Sequence, residues 1–367
     1  MRTISLFLLA ISLALASTPQ STRACTEVRL RPEDSAVVIG RSMEFAQALN
    51  SNIIVQPRGQ ENVSTLPDGK DGIKWKSKYG VMYLDGFGID VAIDGMNETG
   101  LSLGALFFPG EAEYQDMKGA KRSRTMVVND LPLYILQNFA TVDEVKEALP
   151  KLTVAGIRTP ALQNIVIPAH FSVYEPDGTG IIIEYTKDGL NIYDSVGIMT
   201  NSPAYPWHVT NLNNYVGLNS VNAERVVIDG VSFASTGQGS GLQGIPGDPT
   251  PPARFVRAAA MAYLAAKTDN AEEAVNLAVH ILNTVDIPLG TVRDFSDKES
   301  FGDYTQWIVV KDLTNRVLYF RTYGNTALRA VDMKKFDMSE GAGRFTMPVD
   351  GGASAVTDVT TDLKPSN

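Results

Sequence analysis

The residue with the clearest capacity for chemistry is Cys25, the single cysteine in 367 residues. It cannot form an intramolecular disulfide. A lone cysteine is commonly a small buried hydrophobe, but this one stands at the junction between an apolar leader and the rest of the chain, where a core role is a poor fit. If the chain began at Cys25, nucleophile and base would arrive in one residue. The α-amino group, with a reference pKa of about 7.7–8.0, can accept the thiol proton near neutral pH. Such a site still needs charged neighbours to set the ionisation of amine and thiol, and donors for the oxyanion of a tetrahedral intermediate. Gly40-Arg41-Ser42-Met43-Glu44-Phe45 supplies charges. By spacing alone, however, Arg41 and Glu44 read as an ordinary surface ion pair. The three histidines, His170, His208 and His280, have no ligand-like neighbours at metal spacing, so zinc chemistry is not expected. His170 and His280 read as structural; His208, beside Trp207, stays open.

The elements that must place Cys25 begin with its leader. Met1-Arg2 runs into an apolar stretch, Ile4 to Ala16, and then into small and polar residues, Ser17 to Ala24. That order predicts a secretory signal peptide over residues 1–24 and an exported, periplasmic or secreted protein. Cleavage fits after Ala16, which leaves a short propeptide, or after Ala24. Lipid attachment at Cys25 is the alternative, but Thr22 and Arg23 suit a lipidated cysteine poorly. The apolar stretch is shorter than the ~20 residues of a membrane span, and no later segment approaches that length. The formal charge of -9 moves to -11 once the leader takes Arg2 and Arg23 with it, a balance unsuited to nucleic acid. With no linker or repeat, residues 25–367 read as one domain, its tail after about 350 poorly ordered.

Alternating or β-branched runs predict strands over Thr26–Leu30, Ala36–Glu44, Asn52–Gln56, Val91–Asp94 and Leu101–Phe108. Helices follow around Leu133–Phe139 and from Thr141, where TVDE forms a capping box. Phe171–Tyr174, Gly180–Tyr185 and Leu190–Asp194 read as a meander separated by EPDG and TKDG. Arg254–Ala266 and Ala271–Val285 have helical spacing, with Asn270 and Glu273 placed to cap the second; Gln306–Lys311 and Val317–Thr322 close as a hairpin. This order is α+β, and sheets covered by helices would bury it.

Six segments in register, Cys25-Thr26, GRSMEF at 40–45, DGMNETGL at 94–101, MTNSP at 199–203, TGQGSGLQGIPGD at 236–248 and Ala253-Arg254-Phe255, resemble the choloylglycine hydrolase family, the N-terminal-nucleophile enzymes that include bile salt hydrolases and penicillin V acylases. The resemblance implies a four-layer αββα sandwich of two antiparallel sheets flanked by helices. It implies hydrolysis of a linear amide through a thioester on Cys25, with no cofactor and no metal, on a small-molecule substrate, and a homotetramer whose assembly loop is similar to 211–230. Position by position, it makes Cys25 nucleophile and base and places Arg41 and Arg254 beside the thiol. Asn201 becomes a side-chain donor to the oxyanion, and Phe107 the source of the partner backbone N–H and a wall of the acyl pocket. The family usually carries aspartate where this chain has Glu44, and asparagine or tyrosine where it has Phe107. Met43, Phe45 and Phe108 are expected near that pocket. The glycine-rich 236–247 segment lacks the Lys-Ser/Thr ending of a phosphate loop and reads as a substrate-flanking loop, and Asn97 reads as structural. The substrate expected is an apolar acyl group joined to a small polar amine, as in a penicillin V acylase. Bile salts, acyl homoserine lactones and an idle binding lipoprotein are the alternatives.

Overall fold

The computed structural model describes residues 24–162, 164–293, 302–351, 357 and 359–362. Residues 1–23 of the expected leader, and most of the chain after 351, lie outside the described residues. Two antiparallel sheets dominate. The six-stranded sheet runs, edge to edge, Ile198–Met199, Cys25–Leu30, Val38–Phe45, Tyr304–Asp312, Val317–Thr322 and Arg329–Asp332. The eight-stranded sheet runs Gly189–Asp194, Gly180–Thr186, Ala169–Tyr174, Ser102–Phe107, Ile89–Asn97, Val81–Gly86, Asn52–Gln56 and Phe345–Pro348.

Helices close both outer faces. Pro251–Leu264 and Ala271–Asn283 pack on the strands that carry Cys25 and Arg41, and Leu131–Asn138 packs on the Ile89–Asn97 and Ser102–Phe107 strands of the other sheet. The result is the four-layer αββα sandwich. Local chemistry starts the helices where expected. Thr141 accepts from the Glu144 N–H while Glu144 reaches back to the Thr141 N–H, and Asn270 accepts from the Glu273 N–H. Asn97 is structural, as expected. Its buried side chain accepts from the Thr99 and Leu101 N–H groups and donates to the carbonyls of Leu136 and Phe139, closing the end of a helix.

Strand periodicity then decides which side chains meet. Cys25 pairs with Met43 and Glu27 with Arg41 across neighbouring strands, so all four share one face. Arg41 pairs in turn with Val309, and Ile39 with Lys311, which brings Lys311 to that face too. Glu44 lies three residues beyond Arg41, and an odd separation along a strand sends the two to opposite faces. The face with Gly40 packs on the Ala271–Asn283 helix, where a Cβ on Gly40 would meet Leu282 at 3.0 Å and Ala278 at 3.2 Å.

Candidate active site

Cys25 opens a central strand of the six-stranded sheet and is 2% exposed. Its backbone N–H donates to Asn201 Oδ1 at 2.8 Å, and its sulfur lies 3.6 Å from Met43 Sδ and 3.7 Å from an Arg41 Nη2. Arg254 grips the same residue from the helix side, donating through Nη1 to the Cys25 carbonyl and to Thr26 Oγ1 (2.6 Å), and through Nη2 to Asn201 Oδ1 (2.7 Å). Four of the residues expected at the site, Cys25, Arg41, Asn201 and Arg254, are therefore joined by direct contacts.

The surface ion pair expected of Arg41 and Glu44 does not exist. Both side chains are fully buried and, three residues apart on one strand, belong to different faces. Glu44 Oε1 accepts from Thr305 Oγ1 at 3.0 Å, and the Glu44 backbone N–H donates to the carbonyl of Ala24 at 2.9 Å. Glu44 thus lies beside the residue that precedes Cys25, and no Glu44 side-chain hydrogen bond to the Cys25 nitrogen is formed. Burial pushes its carboxyl up to about 7, against the pull of Arg254.

Burial also pushes the Cys25 thiol up, and Glu44 adds to the rise, while Arg41 and Arg254 oppose it. Burial works against the charged form of Arg41, but Cys25 and Asp94 outweigh it and hold Arg41 cationic; Arg254 is drawn down by burial, partly offset by Glu44 and Cys25. Two buried guanidinium groups beside one thiol form a field that favours thiolate and any oxyanion formed there.

Asn201 spends both ends of its amide. Oδ1 accepts from Cys25 and Arg254, and Nδ2 donates to the Phe107 carbonyl at 2.7 Å. Its own carbonyl receives His208 Nε2 at 2.8 Å. His208 is buried, stacked on Phe255 with ring centroids 4.8 Å apart, and burial pushes its pKa down to about 4, so it is a neutral brace behind Asn201. His170 is structural as expected, with Glu184 at 3.0 Å on Nδ1 and the Thr200 carbonyl at 3.0 Å on Nε2.

An apolar cleft of about 550 Å³, counted with its open mouth, ends on Cys25. Met43, Phe45, Phe87, Phe107 and Phe171 supply its larger side chains, and Phe107 meets Phe45 edge to face at 6.3 Å. Phe108 is not among the lining residues. One residue along the strand from Phe107, it points elsewhere and stacks on His170 at 4.2 Å. The glycine-rich 236–247 segment does not line this cleft either; it braces an exposed segment, with the Gly239 N–H on Asn222 and the Gly241 carbonyl receiving the Asn219 N–H. Among the described residues no group of three or more His, Cys, Asp or Glu is placed to hold a metal ion.

Two residues of the site, Asp94 and Lys311, are not marked by the sequence as chemical groups, although Asp94 opens the matched DGMNETGL segment. Each ends a short apolar run, Val91–Ile93 for Asp94 and Ile308–Val310 for Lys311, and only the stacking of the two sheets brings them together. Asp94 pairs with Arg41 Nη1 at 3.0 Å and with Lys311 Nζ at 2.7 Å, all three fully buried.

Over residues 25–351 the sequence matches the family described as linear amide C–N hydrolases, choloylglycine hydrolase family. The chain belongs to that family. It is 35% identical over 319 residues to a bile salt hydrolase/transferase of Clostridium perfringens, covering 85% of this chain and 93% of that one. The crystal structure of an arginine-to-leucine variant of conjugated bile acid hydrolase from Clostridium perfringens superposes with a TM-score of 0.79 at 32% identity, covering 92% of this chain and all of that one. Penicillin V acylase from Agrobacterium tumefaciens superposes with a TM-score of 0.71 at 26% identity, covering 90% and 92%. The chain is thus a hydrolase of carbon–nitrogen bonds in linear amides, with the N-terminal-nucleophile sandwich that its strand order builds.

Proposed function

We propose that the chain is exported, is cut in front of Cys25, and cleaves a linear amide between an apolar acyl group and a small polar amine, in the manner of a penicillin V acylase. The observation that carries this reading is the apolar cleft whose lining includes Cys25. An acyl chain in that cleft gains about 25 cal/mol for each Å² of apolar surface taken out of water. A hydroxyl buried against the phenyl rings gains no partner from them.

In the reaction, the freed α-amine of Cys25 takes the thiol proton and the sulfur attacks the amide carbonyl. The tetrahedral intermediate collapses to a thioester as the protonated amine hands its proton to the leaving nitrogen. Water, deprotonated by the same amine, then attacks the thioester and frees the acid. Arg41 and Arg254 stabilise the negative charge, and Asn201 and the Phe107 backbone are the oxyanion donors. Asn201 Nδ2 must leave the Phe107 carbonyl to serve. With Ala24 gone, Glu44 faces the space beside the new amine.

A bile salt hydrolase is the second reading, favoured by the 35% identity to the Clostridium perfringens bile salt hydrolase/transferase. Side-by-side kcat/KM on penicillin V, glyco- and tauro-conjugated bile salts and acyl homoserine lactones decides. Phenoxyacetyl or long acyl amides are expected to be cleaved with the higher value; a clear preference for glycocholate or taurocholate overturns the substrate assignment and leaves the Cys25 chemistry standing. Intact mass separates both from a lipoprotein, in which Cys25 has no free thiol. The end of the 211–230 stretch enters a hairpin, Val226–Ile228 with Val231–Phe233, whose apolar side chains are exposed, Val227 58% and Phe233 56%, which supports self-association there; the homotetramer rests on the family resemblance.

A further inference from the structure

Behind Cys25, between the two sheets, four ionisable side chains are fully buried: Glu27, Arg41, Asp94 and Lys311. They come from both layers. Glu27, Arg41 and Lys311 share the inner face of the six-stranded sheet, and Asp94 projects from the eight-stranded one. Buried charges persist only when each finds a partner, and the pairings here form a chain. Lys311 Nζ lies 2.7 Å from Asp94 Oδ1, Asp94 Oδ2 takes Arg41 Nη1 at 3.0 Å, and Arg41 Nη2 faces the Cys25 sulfur at 3.7 Å.

The orientation of Arg41 is over-determined on its far side. Nη1 also donates to the Ile93 carbonyl and Nη2 to the Ala105 carbonyl, and the Trp307 ring lies 5.5 Å from the guanidinium carbon. The two carbonyls are neutral; the one carboxylate on the guanidinium is Asp94. Space for the cluster is kept by Gly104, the cross-strand neighbour of both Asp94 and Ser172. A Cβ there would come within 2.6 Å of Glu27 Oε2 and 3.4 Å of Asp94 Oδ2.

We propose that Asp94, held by Lys311, is a positioning residue that aims the Arg41 guanidinium at the Cys25 sulfur and so sets the ionisation of the thiol. The proposal rests on Cys25 being the nucleophile. A carboxylate left to act only through space would raise the thiol's pKa, since it is a negative charge on the same guanidinium. One that holds Arg41 against the sulfur lowers it. Glu27 shares the same interior, where burial pushes its carboxyl up against the pull of Lys311.

The test is Asp94→Asn, nearly the same size, measured in the mature protein for amide hydrolysis and for the pH dependence of Cys25 alkylation by iodoacetamide, which needs no substrate. The groups facing the thiol and the cluster are Glu27, Arg41, Glu44, Asp94, Arg254 and Lys311, and the other five are left unchanged. Loss of a charged hydrogen-bond anchor predicts a fall in kcat of about 10–100-fold, with KM within about threefold because Asp94 does not line the cleft. The alkylation midpoint is expected to move to higher pH. A folded Asp94→Asn enzyme with parental kcat, or with a midpoint unmoved or lowered, overturns the proposal. Should Asp94→Asn not fold, Lys311→Met decides, with a smaller fall in kcat and the same upward shift expected and parental behaviour overturning it. A parent protein whose Cys25 alkylates but which cleaves no linear amide would instead defeat the functional reading, and the alkylation curves would still test the role of Asp94.

Discussion

The two faces of the eight-stranded sheet look into different interiors. Towards the helices, Leu103, Val173, Ile181 and Ile183 meet Leu131, Ile135, Leu136 and Val145 in a hydrocarbon core. Towards the other sheet, the same strands present Asp94, Gly104 and Ser172 to Glu27, Arg41 and Lys311, with Cys25 at the end of the row. The first interior is what burial alone builds, each large aliphatic side chain contributing about 1.5–3 kcal/mol. The second surrenders part of that gain to desolvated charge and keeps in return a fixed field around one sulfur. The charged row and most of the hydrocarbon core lie on opposite faces of one sheet, and the cleft at Cys25 draws on both, with Val128 and Phe171 from one and Met43 and Phe45 from the other.

Substitutions can break that comparison from either side. The largest expected effect is on the charged side: Cys25→Ala should leave no measurable turnover while the thermal unfolding transition is retained, and Cys25→Ser should be nearly inactive. Turnover by Cys25→Ala would place the nucleophile elsewhere. Next comes Asn201→Ala, expected to lose on the order of 10²–10³ in kcat, the cost of one oxyanion donor; near-parental rates would show that Asn201 serves only to hold Cys25, Arg254 and Phe107. On the hydrocarbon side, Ile135→Ala should cost about 2–5 kcal/mol in denaturant unfolding and leave kcat/KM of the folded enzyme unchanged. Comparable losses of activity and stability there would show that the two interiors are coupled through the sheet.

The smallest effect sharpens the boundary. Folded Glu44 keeps its proton to about pH 7, whereas the unfolded reference is 4.5, so with Ala24 in place the folded chain binds the extra proton between those values. Its contribution to stability therefore falls as pH rises from about 4.5 to about 7 and is least above that range. Glu44→Gln in the unprocessed chain should flatten that part of the stability–pH curve; an unaltered curve would mean that Glu44 is already ionised in the folded state.

Where the sequence is explicit, it is so through local chemistry. The strands Asn52–Gln56 and Val317–Thr322 end where β-branched alternation ends, and the helix starts at Thr141 and Asn270 follow from capping side chains alone. The hairpin of Glu61–Thr65 and Asp71–Lys76 carries no such signal, because both strands are largely polar and each buries only one residue. Val81–Gly86 is buried on both faces, so no alternation marks it as a strand. The Tyr205–Asn211 helix follows Ala204 without a capping side chain. Cys25, Arg41, Glu44, Asn201, Arg254 and Phe107 are all placed at the site by resemblance, and the opposite faces of Arg41 and Glu44 follow from their odd spacing on one strand. Asp94 and Lys311, 217 residues apart, meet through tertiary stacking that no local pattern encodes.

The central claim, that Cys25 acts as a free amino-terminal nucleophile, is tested most directly by intact mass spectrometry of active enzyme quenched in acid during turnover of a linear amide. The mass predicted is that of a chain beginning at Cys25, with a population heavier by one acyl group that maps to the Cys25 sulfur. Full activity in protein that still carries residues ahead of Cys25, or an acyl group mapping to any other residue, would contradict it.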